Sequence, residues 1–314
     1  MIYILILIGF AMLIYGGNIL VDGAVSVARR MKVSPLLIGL TLVGFGTSTP
    51  ELMTSLFAAS IDAEGIAVGN VVGSNIANIL LVLGVAAVIR AISVNKTSFK
   101  RDSLFLSIAT GVLVLALFWG RIGFILGFIM CATLGYYVYY SYQTEKKEAK
   151  LDPTKTEVVR NKKSNHIELG LSIAKTILGI VLTVIGARVL VTNSVVLAER
   201  WGVSETIIGL TIVALGTSLP ELATSIIASL KKHSDLAWGN VVGSNIYNAL
   251  FILGVTALFV PVKVPKNVMI DTLIMVGVTA LLLYFGRRGK LTKRGGWLFC
   301  ALYVVYIAYL ALKA

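Results

Sequence analysis

The chain has 314 residues, 57% of them hydrophobic and 14% charged, with a mean hydropathy of +0.89. A water-soluble domain of this size cannot bury that much apolar surface, so the lipid bilayer is its solvent. The net charge of +13 would suggest nucleic acid in a soluble protein, but here the basic residues sit in short loops, where they set membrane topology; no nucleic-acid partner is expected. In chain order, apolar segments of near-membrane length run at roughly 2–27, 34–59, 66–89, 102–119 and 122–142. The first has no basic n-region and no small-residue cleavage site, and reads as a retained helix. A polar stretch of mixed charge, Thr144 to His166, follows as a solvated loop, too short for a folded regulatory module. Five more spans follow at roughly 167–197, 204–230, 236–260, 267–285 and 296–312. Cys131 and Cys300 lie within apolar helices without metal or redox spacing and are read as packing residues; His166 and His233 fall in loops.

The sequence repeats itself. A shift of 170 residues lays IGLTLVGFGTSTPELMTS (Ile38–Ser55) on IGLTIVALGTSLPELATS (Ile208–Ser225), with 13 of 18 positions identical. The same shift lays IAVGNVVGSNIANILLVLG (Ile66–Gly84) on LAWGNVVGSNIYNALFILG (Leu236–Gly254), with 13 of 19 identical. Two stretches sharing one offset mark a duplication. Five spans per half is an odd number, so the second half enters the membrane from the opposite side and the repeats are inverted. The expected architecture is all-α and integral to the membrane: residues 1–143 as one five-helix repeat, 144–166 as a loop, and 167–314 as the second repeat. Loops on one face, the central one included, collect 21 basic residues against five on the other, which puts the central loop in the cytoplasm and both termini outside. The absence of an organellar signal suits a plasma membrane.

Glu51 and Glu221 are the carboxylates read as lying deep inside spans, at equivalent positions of the two repeats. Such a group costs several kcal/mol at the bilayer centre and is a functional hypothesis by default. Inverted symmetry brings the pair together near the midplane, where two bare carboxylates repel and a divalent cation between them is neutralised. Thr47 and Thr217 stand four residues before the glutamates, on the same helical face. Pro50 and Pro220 remove an amide donor and, with Gly44, Gly46 and Gly216, predict a broken helix whose freed carbonyls line a cavity. In the second motif, Ser74 and Asn78 are matched by Ser244 and Asn248, and the pairs Gly69/Gly73 and Gly239/Gly243 predict close helix packing. Oxygen donors without Cys or His select hard cations such as sodium, calcium and magnesium. Lys175 and Arg188 are the remaining intramembrane bases, neither of them repeated; Arg188 has no derivable role.

The paired GTSxPE and GNVxGSNIxN motifs resemble the two alpha-repeats of the sodium/calcium exchanger family, within the calcium/cation antiporters. That resemblance implies alternating access with roughly three sodium ions against one calcium. It implies that Glu51 and Glu221 ligate calcium with the carbonyls of Thr47 and Thr217. Sodium would use Ser74, Ser244, Ser48, Ser218, Asn78, Asn248 and the carbonyls of Gly44 and Ala214. It also implies that the long, loosely packed first and sixth spans form a sliding gate. Some relatives carry aspartate where this chain has Asn248. With asparagine in both halves the fixed charge is −2, which favours electrogenic exchange and weighs against potassium dependence. The expected partners are calcium, sodium and the bilayer, with no resident cofactor and no obligate protein partner. A proton-coupled cation exchanger is the alternative within the class; a passive channel and an intramembrane enzyme fit the motifs less well.

Overall fold

The computed structural model describes residues 2–151, 166–201, 216–265 and 268–313. Its helices are α1 (Ile2–Met31), α2 (Pro35–Thr47), α3 (Thr49–Ser60), α4 (Glu64–Ile89), α5 (Lys96–Phe118) and α6 (Phe124–Leu151). They continue with α7 (His166–Arg200), α8 (Leu219–Leu230), α9 (Ser234–Phe259), α10 (Met269–Arg287) and α11 (Lys293–Lys313). Among the described residues eight helices are long and apolar enough to cross a membrane, nine when α2 and α3, bent by 41°, count as one span; α8 is a shorter apolar helix. Helices satisfy their own backbone polar groups, which hydrocarbon cannot do.

Two of the sequence expectations change. Helix α6 runs on through Leu151, eight residues into the stretch read as a loop, and His166 is the first residue of α7 rather than a loop residue. Residues 152–165 lie outside the described residues.

Helices α4 and α9, which carry the second repeated motif, are the centre of the bundle: 72% and 83% of their most apolar stretches are buried, against 33% for α1 and 17% for α7. Each of the two contains a π-helical segment, Asn78–Leu83 in α4 and Asn248–Ile252 in α9, and α2 has a third at Gly39–Val43. Such bulges cluster at functional positions.

Contacts between the halves come in matched pairs. A Cβ on Gly127 would stand 2.7 Å from the Gly254 carbonyl oxygen, and one on Gly296 at 2.7 Å from that of Gly84. Cys131 Sγ would be 2.9 Å from a Cβ on Gly254, and Cys300 Sγ 3.0 Å from one on Gly84, so both thiols fill matched seams against glycine. The same reciprocity holds at the bundle's edges, where two-residue strands pair antiparallel. Strand β1 (Ile92–Ser93) pairs with β4 (Lys290–Leu291), and β2 (Arg121–Ile122) with β3 (Val262–Lys263). The turns leading into β2 and β4 hold Gly120 and Gly289 at φ 75° and 79°, a left-handed backbone that glycine adopts without a Cβ penalty.

Helices α1 and α7 lie antiparallel and close. A Cβ on Gly9, Gly16 or Gly23 would come within 2.6–2.7 Å of the amide nitrogens of Leu190, Thr183 and Thr176. The two spans expected to be loosely packed are therefore tightly seamed to one another, while their outer faces are exposed. Arg30 on α1 pairs with Glu168 and donates to Ser172 on α7, tying the seam at one end.

Candidate cation site

The two helical breaks have the same backbone. Ser48 between α2 and α3 has φ −83°, ψ 5°, and Ser218 before α8 has φ −86°, ψ 2°. Pro50 and Pro220 occupy the tolerated first turn of the helix that follows, where no amide partner is lost within that helix, while the carbonyl one turn earlier goes without its donor. Glu51 and Glu221 stand in those first turns, both fully buried, within electrostatic reach of each other at the centre of the bundle.

The backbone at each glutamate is held by an asparagine of the central helix of the same half. Asn70 Nδ2 on α4 donates to the Glu51 carbonyl oxygen and to Ser55 Oγ, both at 3.1 Å. Asn240 Nδ2 on α9 donates to the Glu221 carbonyl oxygen at 3.4 Å and to Ser225 Oγ at 3.1 Å. The halves also cross-link at the site: Thr47 Oγ1 donates to Asn240 Oδ1 at 3.3 Å, Ser48 Oγ to Glu221 Oε1 at 3.4 Å, and Asn245 Nδ2 to the Asn75 carbonyl at 3.2 Å. Asn70, Asn240, Ser55 and Ser225 were not singled out from sequence. Their signal was available, since all four lie in the repeated blocks at the 170-residue offset.

What remains is a set of buried polar atoms without hydrogen-bond partners among the described residues: both carboxylate oxygens of Glu51, Oε2 of Glu221, Oδ1 and Nδ2 of Asn78 and Asn248, and the hydroxyls of Ser218 and Ser244. Leaving one such group unsatisfied costs about 1–3 kcal/mol, and more when it is charged. A concentration of them around two acids is the donor set of a hard cation, with negative charge and neutral oxygens and no nitrogen or sulfur ligand required. Among the described residues no cluster of three or more His, Cys, Asp or Glu forms, so the charge here is that of the glutamate pair.

Of the residues expected at the site, Thr47, Ser48, Ser74, Asn78, Ser218, Ser244 and Asn248 are buried, a Cβ on Gly44 would stand 3.2 Å from the Ser244 amide nitrogen, and Thr217 is half-buried beside Glu51. Ala214 lies outside the described residues. Two cavities reach this region. One of about 520 Å³ is lined by Ser74, Ala77 and Thr217; the other, of about 360 Å³, by Pro50, Thr217, Pro220 and Arg188. Arg188, read as an intramembrane base, has an exposed side chain and lines that second cavity. The glycine pairs differ as well. Gly239 and Gly243 are packed against Leu36 and Leu40 of α2, as expected. Gly69 and Gly73 line the larger cavity, and a Cβ on either would meet no described atom within 4 Å.

The family model described as sodium/calcium exchanger protein matches residues 1–143 and 171–312. A putative antiporter, CaxA, from Alkalimonas amylolytica is 37% identical over 98% of this chain and 96% of its own. The sodium/calcium exchanger MaX1 from Methanosarcina acetivorans is 34% identical over 98% of this chain and 97% of its own. A solved structure of the sodium-calcium exchanger NCX_Mj, soaked with sodium and strontium, superposes with a TM-score of 0.84 at 30% identity, covering 98% of this chain and 99% of that one.

Proposed function

The chain belongs to the sodium/calcium exchanger protein family, whose members are membrane cation antiporters, and we propose that it exchanges sodium for calcium by alternating access. The observation that carries this reading is the buried oxygen set, without partners among the described residues, drawn from both halves around Glu51 and Glu221.

Calcium is held between the two glutamates with the backbone carbonyls of Thr47 and Thr217. Sodium uses Ser48, Ser218, Ser74, Ser244, Asn78 and Asn248 with the carbonyls of Gly44 and Ala214. The fixed charge of the pair is −2. One calcium neutralises it, whereas roughly three sodium ions leave a positive complex, so exchange moves net charge. The architecture is ten spans in two inverted repeats of five; the reciprocal glycine seams, the matched strand pairs and the twin breaks at Ser48 and Ser218 support it. The seamed pair α1 and α7, exposed on its outer faces, slides as one body against the buried core of α4 and α9. The protein sits in the plasma membrane with the central loop in the cytoplasm and both termini outside, following the asymmetry of basic residues.

The test is calcium-45 uptake into proteoliposomes loaded with sodium, with and without an outward sodium gradient. Uptake that follows the sodium gradient, generates a membrane potential and is lost in Glu51→Gln is the expected result. Uptake driven by a pH gradient and indifferent to sodium would transfer the assignment to proton-coupled exchange, and uptake indifferent to both would overturn antiport.

A further inference from the structure

The 170-residue offset continues into the first helix of each half, where it lays Gly16, Leu20 and Val25 of α1 on Gly186, Leu190 and Val195 of α7. The two helices meet their neighbours differently. Helix α1 is closed against α8: a Cβ on Gly17 would meet Ile227 Cδ1, and Lys231, at the C-terminal cap of α8, reaches across to α1. Lys231 Nζ stands 2.7 Å from Asp22 Oδ1 and donates to the Asn18 carbonyl oxygen at 3.3 Å.

Gly17, Asn18 and Asp22 correspond to Ala187, Arg188 and Thr192 of α7. All three of these line the 360 Å³ cavity, with Pro50, Met53 and Thr54 of α3 on its other wall. Helix α3 is the counterpart of α8, so the contact that is shut between α1 and α8 is the one that stands open between α7 and α3. Phe57 and Ile61, the counterparts of Ile227 and Lys231, are exposed. The shut and the open contact lie toward opposite ends of the α1–α7 seam. Asp22 precedes Gly23, which faces Thr176, whereas Arg188 lies between Gly186 and Leu190, which face Gly9. The helix from Gly9 to Gly23 spans about 21 Å at 1.5 Å per residue.

Inverted repeats exchange roles as a carrier changes face, so the contact of α1 with α8 opens as that of α7 with α3 shuts. The exchange is uneven. Lys231 and Asp22 correspond to Ile61 and Thr192, neither of which carries a charge. The contact that is shut here is held by an ion pair, and the equivalent positions of the opposite contact cannot form one.

We propose that the Asp22–Lys231 pair is a one-sided latch: it forms when the Lys231 face is shut, breaks each time α1 and α7 slide, and biases the carrier toward the state open on the opposite face. The inference rests on the antiport reading above and its sliding pair, and adds what sets the balance between the two states. The half-saturating calcium on a face scales inversely with the fraction of carrier open there, so the ratio of its value on the Lys231 face to that on the opposite face reports the population ratio. The experiment measures that ratio by initial sodium-dependent calcium-45 flux in proteoliposomes of known insertion sidedness. The proteins are the wild type, Asp22→Asn, Lys231→Gln and the exchanged pair Asp22→Lys with Lys231→Asp. Either neutralisation lowers the ratio by about 2–5-fold, the range of a part-exposed ion pair, and the exchanged pair restores it. The wild-type ratio falls toward that of the neutralised variants as choline chloride is raised. Bridging Asp22→Cys to Lys231→Cys with a short bifunctional thiol reagent stops exchange, while the same reagent on the wild type does not. An unchanged ratio overturns the proposal, as does exchange that survives complete bridging. Affinities weakened equally on both faces, with a lowered melting temperature, also overturn it, because the pair would then hold α1 in place in both states. Absence of sodium-dependent flux in the wild type would instead fail the antiport reading, so the two failures are distinct.

Discussion

Gly243→Ala and Gly73→Ala alter equivalent residues of the two repeats, yet among the described residues their surroundings differ, and the two variants should behave differently. A Cβ on Gly243 would stand 2.6 Å from the Leu40 carbonyl oxygen and 2.8 Å from Leu40 Cα, backbone atoms that no rotamer change can move. Carbon contacts settle near 3.5–4.0 Å, so α2 must retreat by about 1 Å. Overpacking of this kind costs about 1–3 kcal/mol. Alanine recovers ~1 kcal/mol over glycine inside a helix, but it does so at both positions and cancels from the comparison. On Gly73 a Cβ meets no described atom within 4 Å, so among the described residues nothing opposes the helical gain. The two variants should therefore differ by about 1–3 kcal/mol, or roughly 2–4 °C in Tm per kcal/mol for a chain of a few hundred residues. Thermal unfolding of the detergent-purified proteins reads the difference directly. Exchange activity reads its consequence, because α2 leads into Ser48, whose hydroxyl is 3.4 Å from Glu221 Oε1. Equal melting temperatures for the two variants, or wild-type exchange by Gly243→Ala, would refute the reasoning.

Two other substitutions probe how the site is held. Asn240→Ala strips partners from the Glu221 carbonyl and the Ser225 hydroxyl, both buried, at about 1–3 kcal/mol each; it should raise the calcium needed for half-maximal exchange more than Asn70→Ala does, because Asn70 is part-exposed. Arg101→Met leaves Asp102 and Glu145 buried without their cation and should cost about 3–5 kcal/mol, seen as a large drop in Tm. Adding Asp102→Asn and Glu145→Gln to the same chain should recover most of that loss, and a triple variant as unstable as the single one would count against the pairing.

Much of this molecule was legible as sequence because a duplication writes its own annotation. The offset of 170 residues picked out Glu51 and Glu221, and also Ser74, Asn78, Ser244 and Asn248, since each motif is seen twice; Asn70 and Asn240 lie in the same blocks and were passed over. What escaped detection depends on differences between copies. The sequence treats Gly69/Gly73 and Gly239/Gly243 as equals, but among the described residues one pair is packed by α2 and the other lines a cavity. Asp102 was read as lying at the start of a span and proves fully enclosed, because Arg101, its neighbour in sequence, supplies the compensating charge. The end of α6 was misjudged because charged residues at a helix end look like loop in composition while remaining good helix formers.

The small strand pairs have a bearing on how the protein is made. Strand β1 lies at Ile92–Ser93 and its partner β4 at Lys290–Leu291, so nearly two hundred residues separate them; β2 likewise waits for β3. During synthesis the first half emerges with both of its edge strands unclaimed, and β1 is closed only when the turn before α11 arrives. Closing such distant pairings comes late, after the loop entropy has been met by helix packing. Truncation before Lys290 would thus leave one edge permanently open, which gives membrane quality control a feature by which an unfinished chain differs from a finished one.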